Sequence, residues 1–146
     1  MVSASKKITI VGGSGALGAG LAKRWARKGH QIIIGSRDEK RASEAASRLN
    51  NEAGTTSIVG MENKVASEHG EIVVLTVPFS NHMSTLSLIA PALDSKILID
   101  VTVPLVPPKV RTVHIPGVDL VRKPRRSSLA RQFGWSRHFK ALPPLI

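Results

Sequence analysis

The chain has 146 residues, 42% of them hydrophobic, with no cysteine and a formal net charge of +11. That length holds one domain with a real core, and the composition excludes disulfides, thiolate catalysis, cysteine metal sites and disorder throughout. The charge does not mark a nucleic-acid binder, because residues 1–104 carry 12 Lys/Arg against 9 Asp/Glu while residues 105–146 carry 9 against Asp119 alone.

From Met1 to Lys7 the chain is polar, and the apolar run that follows ends at Gly12. No signal peptide or membrane span has that shape, so a soluble cytoplasmic protein is expected. Ile8-Thr9-Ile10-Val11 is a β-branched run stopped by Gly12-Gly13, which predicts a buried strand. Leu17, Leu21 and Trp25 recur every four residues and predict an amphipathic helix that ends at Gly29. Gln31 to Ile34 predicts a second strand closed by Gly35. A polar, alanine-rich helix follows from Asp38 to about Ala53, with Ala42, Ala45, Ala46 and Leu49 as its apolar stripe.

Thr56 to Val59 predicts a third strand and Glu62 to His69 a short helix. Glu71 to Val77 is the strongest strand pattern in the chain and stops at Pro78. Ser80 to Leu93 reads as a helix and Lys96 to Val101 as a fifth strand. Strand and helix alternating at this spacing predict an α/β fold: a Rossmann-type, doubly wound parallel sheet. Its near-continuous apolar strands fit a sheet covered on both sides. Beyond Val103 the pattern decays through Pro104, Pro107 and Pro108, with Val110 to Val113 as one further edge strand. Residues 1–120 are therefore read as the Rossmann domain and 121–146 as an irregular basic tail. Phe133, Trp135 and Phe139 lie close together in that tail but form no interleaved stacking platform, so nucleic acid is not an expected partner.

Gly13-Ser14-Gly15-Ala16-Leu17-Gly18 matches G-x-G-x-x-G between a strand and a helix. Gly13 permits the tight turn, Gly15 lets the backbone approach a pyrophosphate, and Gly18 lets helix pack on strand. Free N–H groups and the helix dipole then hold a diphosphate without a positive side chain. A glycine-rich turn in an ordinary α/β domain is the bland alternative, and the correctly spaced strand, helix and strand weigh against it. The end of the second strand selects the cofactor. An NAD site places a carboxylate there for the ribose hydroxyls, whereas an NADP site removes it and supplies donors to a 2′-phosphate. Here the strand runs into Ser36 and Arg37, with Lys40 and Arg41 one turn on, which favours NADP(H). None of His30, His69, His82, His114 and His138 belongs to a metal-ligand cluster in sequence, and each reads as solvated or structural.

These residues together resemble the NADPH-dependent coenzyme F420 reductases, the F420-dependent NADP oxidoreductases. The matching pieces are Val11 to Gly18, Gly29-His30 leading to Gly35-Ser36-Arg37, Gly60-Met61-Glu62-Asn63, Val74 to Pro78, and Asp100-Val101-Thr102-Val103-Pro104. The resemblance spans residues 6–108, about the N-terminal half of such an enzyme. It implies hydride transfer between NADPH and the deazaflavin ring of coenzyme F420, the co-substrate, with the two cofactors carrying the chemistry. It also implies that Ser14, Gly15, Ala16 and Leu17 form the pyrophosphate turn, that Ser36, Arg37 and Arg41 hold the 2′-phosphate, and that Val77, Pro78 and Phe79 pass the nicotinamide half. No side chain is assigned a catalytic role, and the two readings of His82, a helical turn beyond Phe79, are a place facing the cleft and, favoured, a place on the surface. Members of the family continue into a portion that completes the deazaflavin pocket and a homodimer contact. The Arg- and Pro-rich stretch from Arg122 does not resemble that continuation, so it reads as a truncation or a frameshift, and this chain is expected to bind NADPH without useful turnover. The competing readings are a non-catalytic NADP-binding module and the N-terminal part of another NADP-dependent dehydrogenase. With no tyrosine in the chain, a short-chain dehydrogenase is nearly excluded.

Overall fold

The computed structural model describes residues 4–106 and 109–113. Five strands, β1 (Lys7–Val11), β2 (Gln31–Ser36), β3 (Ile58–Glu62), β4 (Ile72–Leu75) and β5 (Ile97–Asp100), pair in parallel in the order β3-β2-β1-β4-β5. Between them run α1 (Ala16–Ala26), α2 (Glu39–Ala53), α3 (Asn63–His69) and α4 (His82–Ile89). The order reverses between β1 and β4, and that switch point is where such sheets open a crevice beyond their carboxyl ends.

Strand alternation sorts the core into two layers. Ile8, Ile10, Ile32, Ile34, Ile58 and Val74 face one side and bury against Ala22 and Ala26 of α1 and Ala45, Ala46 and Leu49 of α2. Val11, Val73 and Leu75 face the other side and bury against Leu86, Ile89 and Leu93. A fully buried isoleucine or valine contributes about 1.5–3 kcal/mol, so the central strands dominate the fold's stability. Thr9 sits inside the second layer because its hydroxyl donates to the Ala66 carbonyl at 2.6 Å, which also pins α3 to β1. Lys96 fastens the same end of α3, its ammonium donating to the Ser67 and Glu68 carbonyls. Partial burial there pushes its pKa down.

The doubly wound parallel sheet agrees with the sequence reading, as do the four buried positions of the α2 stripe, Ala42, Ala45, Ala46 and Leu49. Other details differ for identifiable reasons. Helix α1 buries Gly18, Ala22 and Ala26, while Leu17 is 54% exposed. The small residues face the sheet because Gly18 lies against Gly13, and a close approach admits no bulk. The third strand runs Ile58–Glu62, further along than expected, since Asn50 brackets Ile58 with hydrogen bonds to both its N–H and its carbonyl. The helix read from Ser80 to Leu93 is α4 flanked by two 3₁₀ turns, Phe79–Asn81 and Ala90–Ala92, the second carrying Pro91. Strand β5 is covered on one face only: Leu98 packs into the second layer while Ile97 and Ile99 are exposed.

Val110 to Val113, read as one further edge strand, falls in β7 (Lys109–Val113), which pairs antiparallel with β6 (Leu105–Val106) in a separate two-stranded sheet. The domain boundary at residue 120 and the tail 121–146 lie outside the described residues, as do His114 and His138. Among the described residues no helix is long and apolar enough to cross a membrane.

Two glycines make this packing testable. A Cβ at Gly60 would collide with the Ala42 backbone, whereas one at Gly20, inside α1, would meet nothing within 4 Å. Gly60→Ala is expected to destabilise the fold by about 1–3 kcal/mol. Gly20→Ala is expected to stabilise it by about 0.5–1 kcal/mol. Urea denaturation of the two variants beside the wild type checks both signs.

Candidate cofactor-binding site

At the switch point β1 gives way to the loop Gly12–Gly15. Gly12 turns the chain with φ +76°, and a Cβ there would lie 2.8 Å from Val77 Cγ1. The N–H groups of Gly12 and Gly13 both donate to the Gly35 carbonyl, at 3.0 and 3.1 Å, tying the loop to the exit of β2. At Gly13 a Cβ would strike the Ile10 carbonyl at 2.7 Å, and at Gly18 it would reach 2.6 Å from Gly13 Cα. Gly18 therefore seats α1 on the loop itself, a closer neighbour than the strand expected from the motif. Gly15 differs from the others: its Cβ position meets only the Gly12 carbonyl at 3.6 Å and otherwise points into open space.

Helix α1 starts at Ala16 with no side-chain cap, no acidic residue in its first turn, and Lys23 and Arg24 in its last. Ala19 is the first residue of the helix to donate backward, to Gly15. Among the described residues the N–H groups of Ser14, Ala16, Leu17 and Gly18 reach no acceptor. Four such donors at the positive end of a helix form a site for an anion. Ser14 is half-buried beside them, and Gly15, Ala16 and Leu17 are exposed.

The exit of β2 supplies cations. Ser36 is buried and its hydroxyl accepts the Asp38 N–H at 3.4 Å, while Arg37, Lys40 and Arg41 are exposed. Asp38 caps α2, accepting the Arg41 N–H at 3.1 Å. The carboxylate nearest the strand end is therefore engaged by the helix. Among the described residues Arg37, Lys40 and Arg41 form no ion pair. Behind this corner Asn63 is buried, with its Oδ1 unpartnered and 2.8 Å from where a Gly35 Cβ would stand. Gly35 is thus held bare by Asn63, and the Ile10 carbonyl and Val11 Cα stand 3.4 Å from the same point.

On the other side of the switch point Thr76 ties the exit of β4 to β1, its N–H and hydroxyl both donating to the Val11 carbonyl at 2.9 Å. Val77 follows against Gly12, Pro78 is exposed, and Phe79 opens the 3₁₀ turn. The glycine-loop residues, Ser36, and Val77 to Phe79 thus gather at one end of the sheet.

His82 corrects the sequence reading. It is buried, 4% exposed, and its Nε2 lies 2.7 Å from Asp100 Oδ2 at the end of β5. A residue at the start of a helix reads as exposed, and only the tertiary approach of α4 to β5 buries it. Asp100 was not read as a site residue at all. The signal available was a carboxylate closing an otherwise apolar strand. Among the described residues no group of three His, Asp or Glu residues is arranged to hold a metal ion.

The strand order, the glycine turn into an uncapped helix and the position of both at the switch point define a Rossmann-type α/β unit. The model of the family described as NADP oxidoreductase, coenzyme F420-dependent, matches residues 7–104, and the chain belongs to that family. It is 46% identical over 101 residues to the F420-dependent NADP reductase of Methanothermobacter thermautotrophicus, a match covering 68% of this chain and 44% of that one. The Methanocaldococcus jannaschii F420-dependent NADP reductase is 41% identical over 103 residues, again 68% of this chain, and 46% of its own length. The chain thus spans about half the length of these curated relatives. A crystal structure of an Arthrobacter sp. FB24 protein assigned as an F420-dependent NADP-reductase superposes with a TM-score of 0.70 at 24% identity, over 86% of this chain and 58% of that one. That likeness carries the fold.

Asp38→Ala is expected to lower stability by about 1 kcal/mol through loss of the α2 cap, with Asp38→Ser retaining most of it. Thermal and urea unfolding of the two variants read the difference.

Proposed function

We propose that this chain is the NADP(H)-holding unit of an oxidoreductase that exchanges hydride between NADPH and the deazaflavin of coenzyme F420. The observation that carries the reading is the uncapped α1 N-terminus beside the bare Gly15, with the exposed Arg37 and Arg41 at the neighbouring strand end. The residues fit the group. The N–H groups of Ser14, Ala16, Leu17 and Gly18 bind the pyrophosphate, and Gly15 leaves room for it. Arg37, Arg41 and the Ser36 hydroxyl bind the 2′-phosphate, a role open to them because the nearby Asp38 carboxylate is engaged as a cap. Val77, Pro78 and Phe79 line the path of the nicotinamide half.

When bound, the nicotinamide supplies or accepts the hydride. What the chain contributes is orientation, because two rings exchanging hydride need to be held face to face and no side chain need take part. The names of the relatives support coenzyme F420 as the second cofactor. The test is the absorbance of coenzyme F420 during incubation with NADPH and the chain. Its reduction supports the oxidoreductase directly, NADPH binding without turnover is the result expected of the holding unit alone, and absence of NADPH binding would overturn the reading.

Arg37→Ala is expected to weaken NADPH binding by about 10- to 100-fold, the scale of one lost charged hydrogen bond, and to leave NADH nearly unaffected. Calorimetric titration with both cofactors checks it, and equal losses for the two would remove Arg37 from the 2′-phosphate site.

A further inference from the structure

A dinucleotide at a Rossmann switch point lays one half over β1 and β2 and the other over the far side of the crevice. In this chain the second half therefore falls to the exits of β4 and β5, which are Thr76 to Phe79 and Val101 to Pro104. Nothing in the glycine loop sets the spacing of those two segments. Strand pairing fastens their bases, with Leu75 beside Asp100 and the Val101 N–H donating to the Leu75 carbonyl at 3.2 Å, and beyond that pairing the buried contact between His82 and Asp100 joins them.

The geometry is specific. Asp100 uses both oxygens: Oδ2 lies 2.7 Å from His82 Nε2, and Oδ1 accepts the Thr102 N–H at 2.9 Å. The carboxylate thus binds the start of α4 with one oxygen and folds the β5 exit back with the other. His82 in turn stacks on Phe79, with ring centroids 6.3 Å apart and planes 14° from parallel. Phe79, His82, Asp100 and Thr102 form one chain of contacts from the β4 exit to the β5 exit. The side chains of His82 and Asp100 are only 5% and 10% exposed. Taking such polar groups out of water is costly, so the contact is weak as a device for stability alone. Thr102 Oγ1 is also buried and reaches no partner among the described residues, so a polar group stands unmatched at the end of this chain of contacts.

We propose that His82 and Asp100 are positioning residues that lock the turn after β4 and the start of α4 against the β5 exit and thereby hold the nicotinamide half of NADP(H), leaving the adenosine half to the glycine loop and Arg37. This inference rests on the NADP(H) reading above. It assigns neither residue a role in the chemical step.

The experiment separates the two halves of the cofactor. NADPH and adenosine 2′,5′-bisphosphate, which lacks the nicotinamide half, are titrated calorimetrically into the wild type, His82→Leu, His82→Gln and the double variant His82→Leu/Asp100→Leu. His82→Leu is expected to weaken NADPH binding by about tenfold or more, the scale of one lost hydrogen bond, with bisphosphate affinity held within about twofold. His82→Gln keeps a donor toward Asp100 and is expected to restore most of the NADPH affinity. The bisphosphate doubles as a check on folding. If His82→Leu does not fold, the double variant replaces it, since an apolar pair often substitutes for a buried polar one without loss of stability. Equal weakening of both ligands, unchanged NADPH affinity, no rescue by glutamine, or a double variant that does not fold would each overturn the positioning role. A wild type that binds neither ligand would instead overturn the NADP(H) reading itself.

Discussion

The N-terminus of α1 is left open, and the rest of the site is arranged around that fact. A helix start with no side-chain cap and four N–H donors unmatched among the described residues is costly unless something polar meets it. The chain secures the start by backbone alone. Gly12 and Gly13 hang from the Gly35 carbonyl, Gly18 rests on Gly13, and Val77 closes on Gly12 from the neighbouring strand. Each contact admits no side chain, so the glycines are required by packing as much as by any ligand. Gly15 alone is bare on its outer side. The loop is rigid where it meets the protein and open where it meets solvent.

From that anchor the two halves of the crevice are built differently. On the β2 side the parts are local: a small buried serine, a capping aspartate and three exposed cations within six residues. On the β4 side they are distributed. Thr76 fastens one exit to β1, the Val101 N–H ties the second to the Leu75 carbonyl, and the side-chain link between them runs through His82 and Asp100, which lie 18 residues apart. A charge-bearing contact of that reach depends on α4 being correctly docked, and Leu86 and Ile89 dock it by entering the layer of Val73 and Leu75. The apolar core thus sets the geometry of a polar contact at its rim.

This division explains what the sequence disclosed. The glycine loop and the Ser36-Arg37 corner were legible because each is specified by neighbours in the chain and by backbone rules that hold in any fold. The alanine stripe of α2 was legible for the same reason, through its 3.6-residue period. Leu17 was misread because its helix turns a face of small residues, Gly18, Ala22 and Ala26, to the sheet, and hydrophobicity alone does not register a need for closeness. His82 was misread because its burial is a tertiary event. The pairing of Lys109–Val113 with Leu105–Val106 was missed because a strand pattern does not name its partner.

The central claim is that the open end of α1 is a binding site rather than a turn, and Gly15→Val tests it most directly. A Cβ at this position meets only the Gly12 carbonyl at 3.6 Å, so the protein has room for the side chain while a pyrophosphate would not. Calorimetric titration of the variant with NADPH, beside its circular dichroism spectrum, is the measurement. The account predicts an unchanged spectrum and no detectable binding where the wild type binds. Retained NADPH affinity in a folded Gly15→Val protein would contradict it.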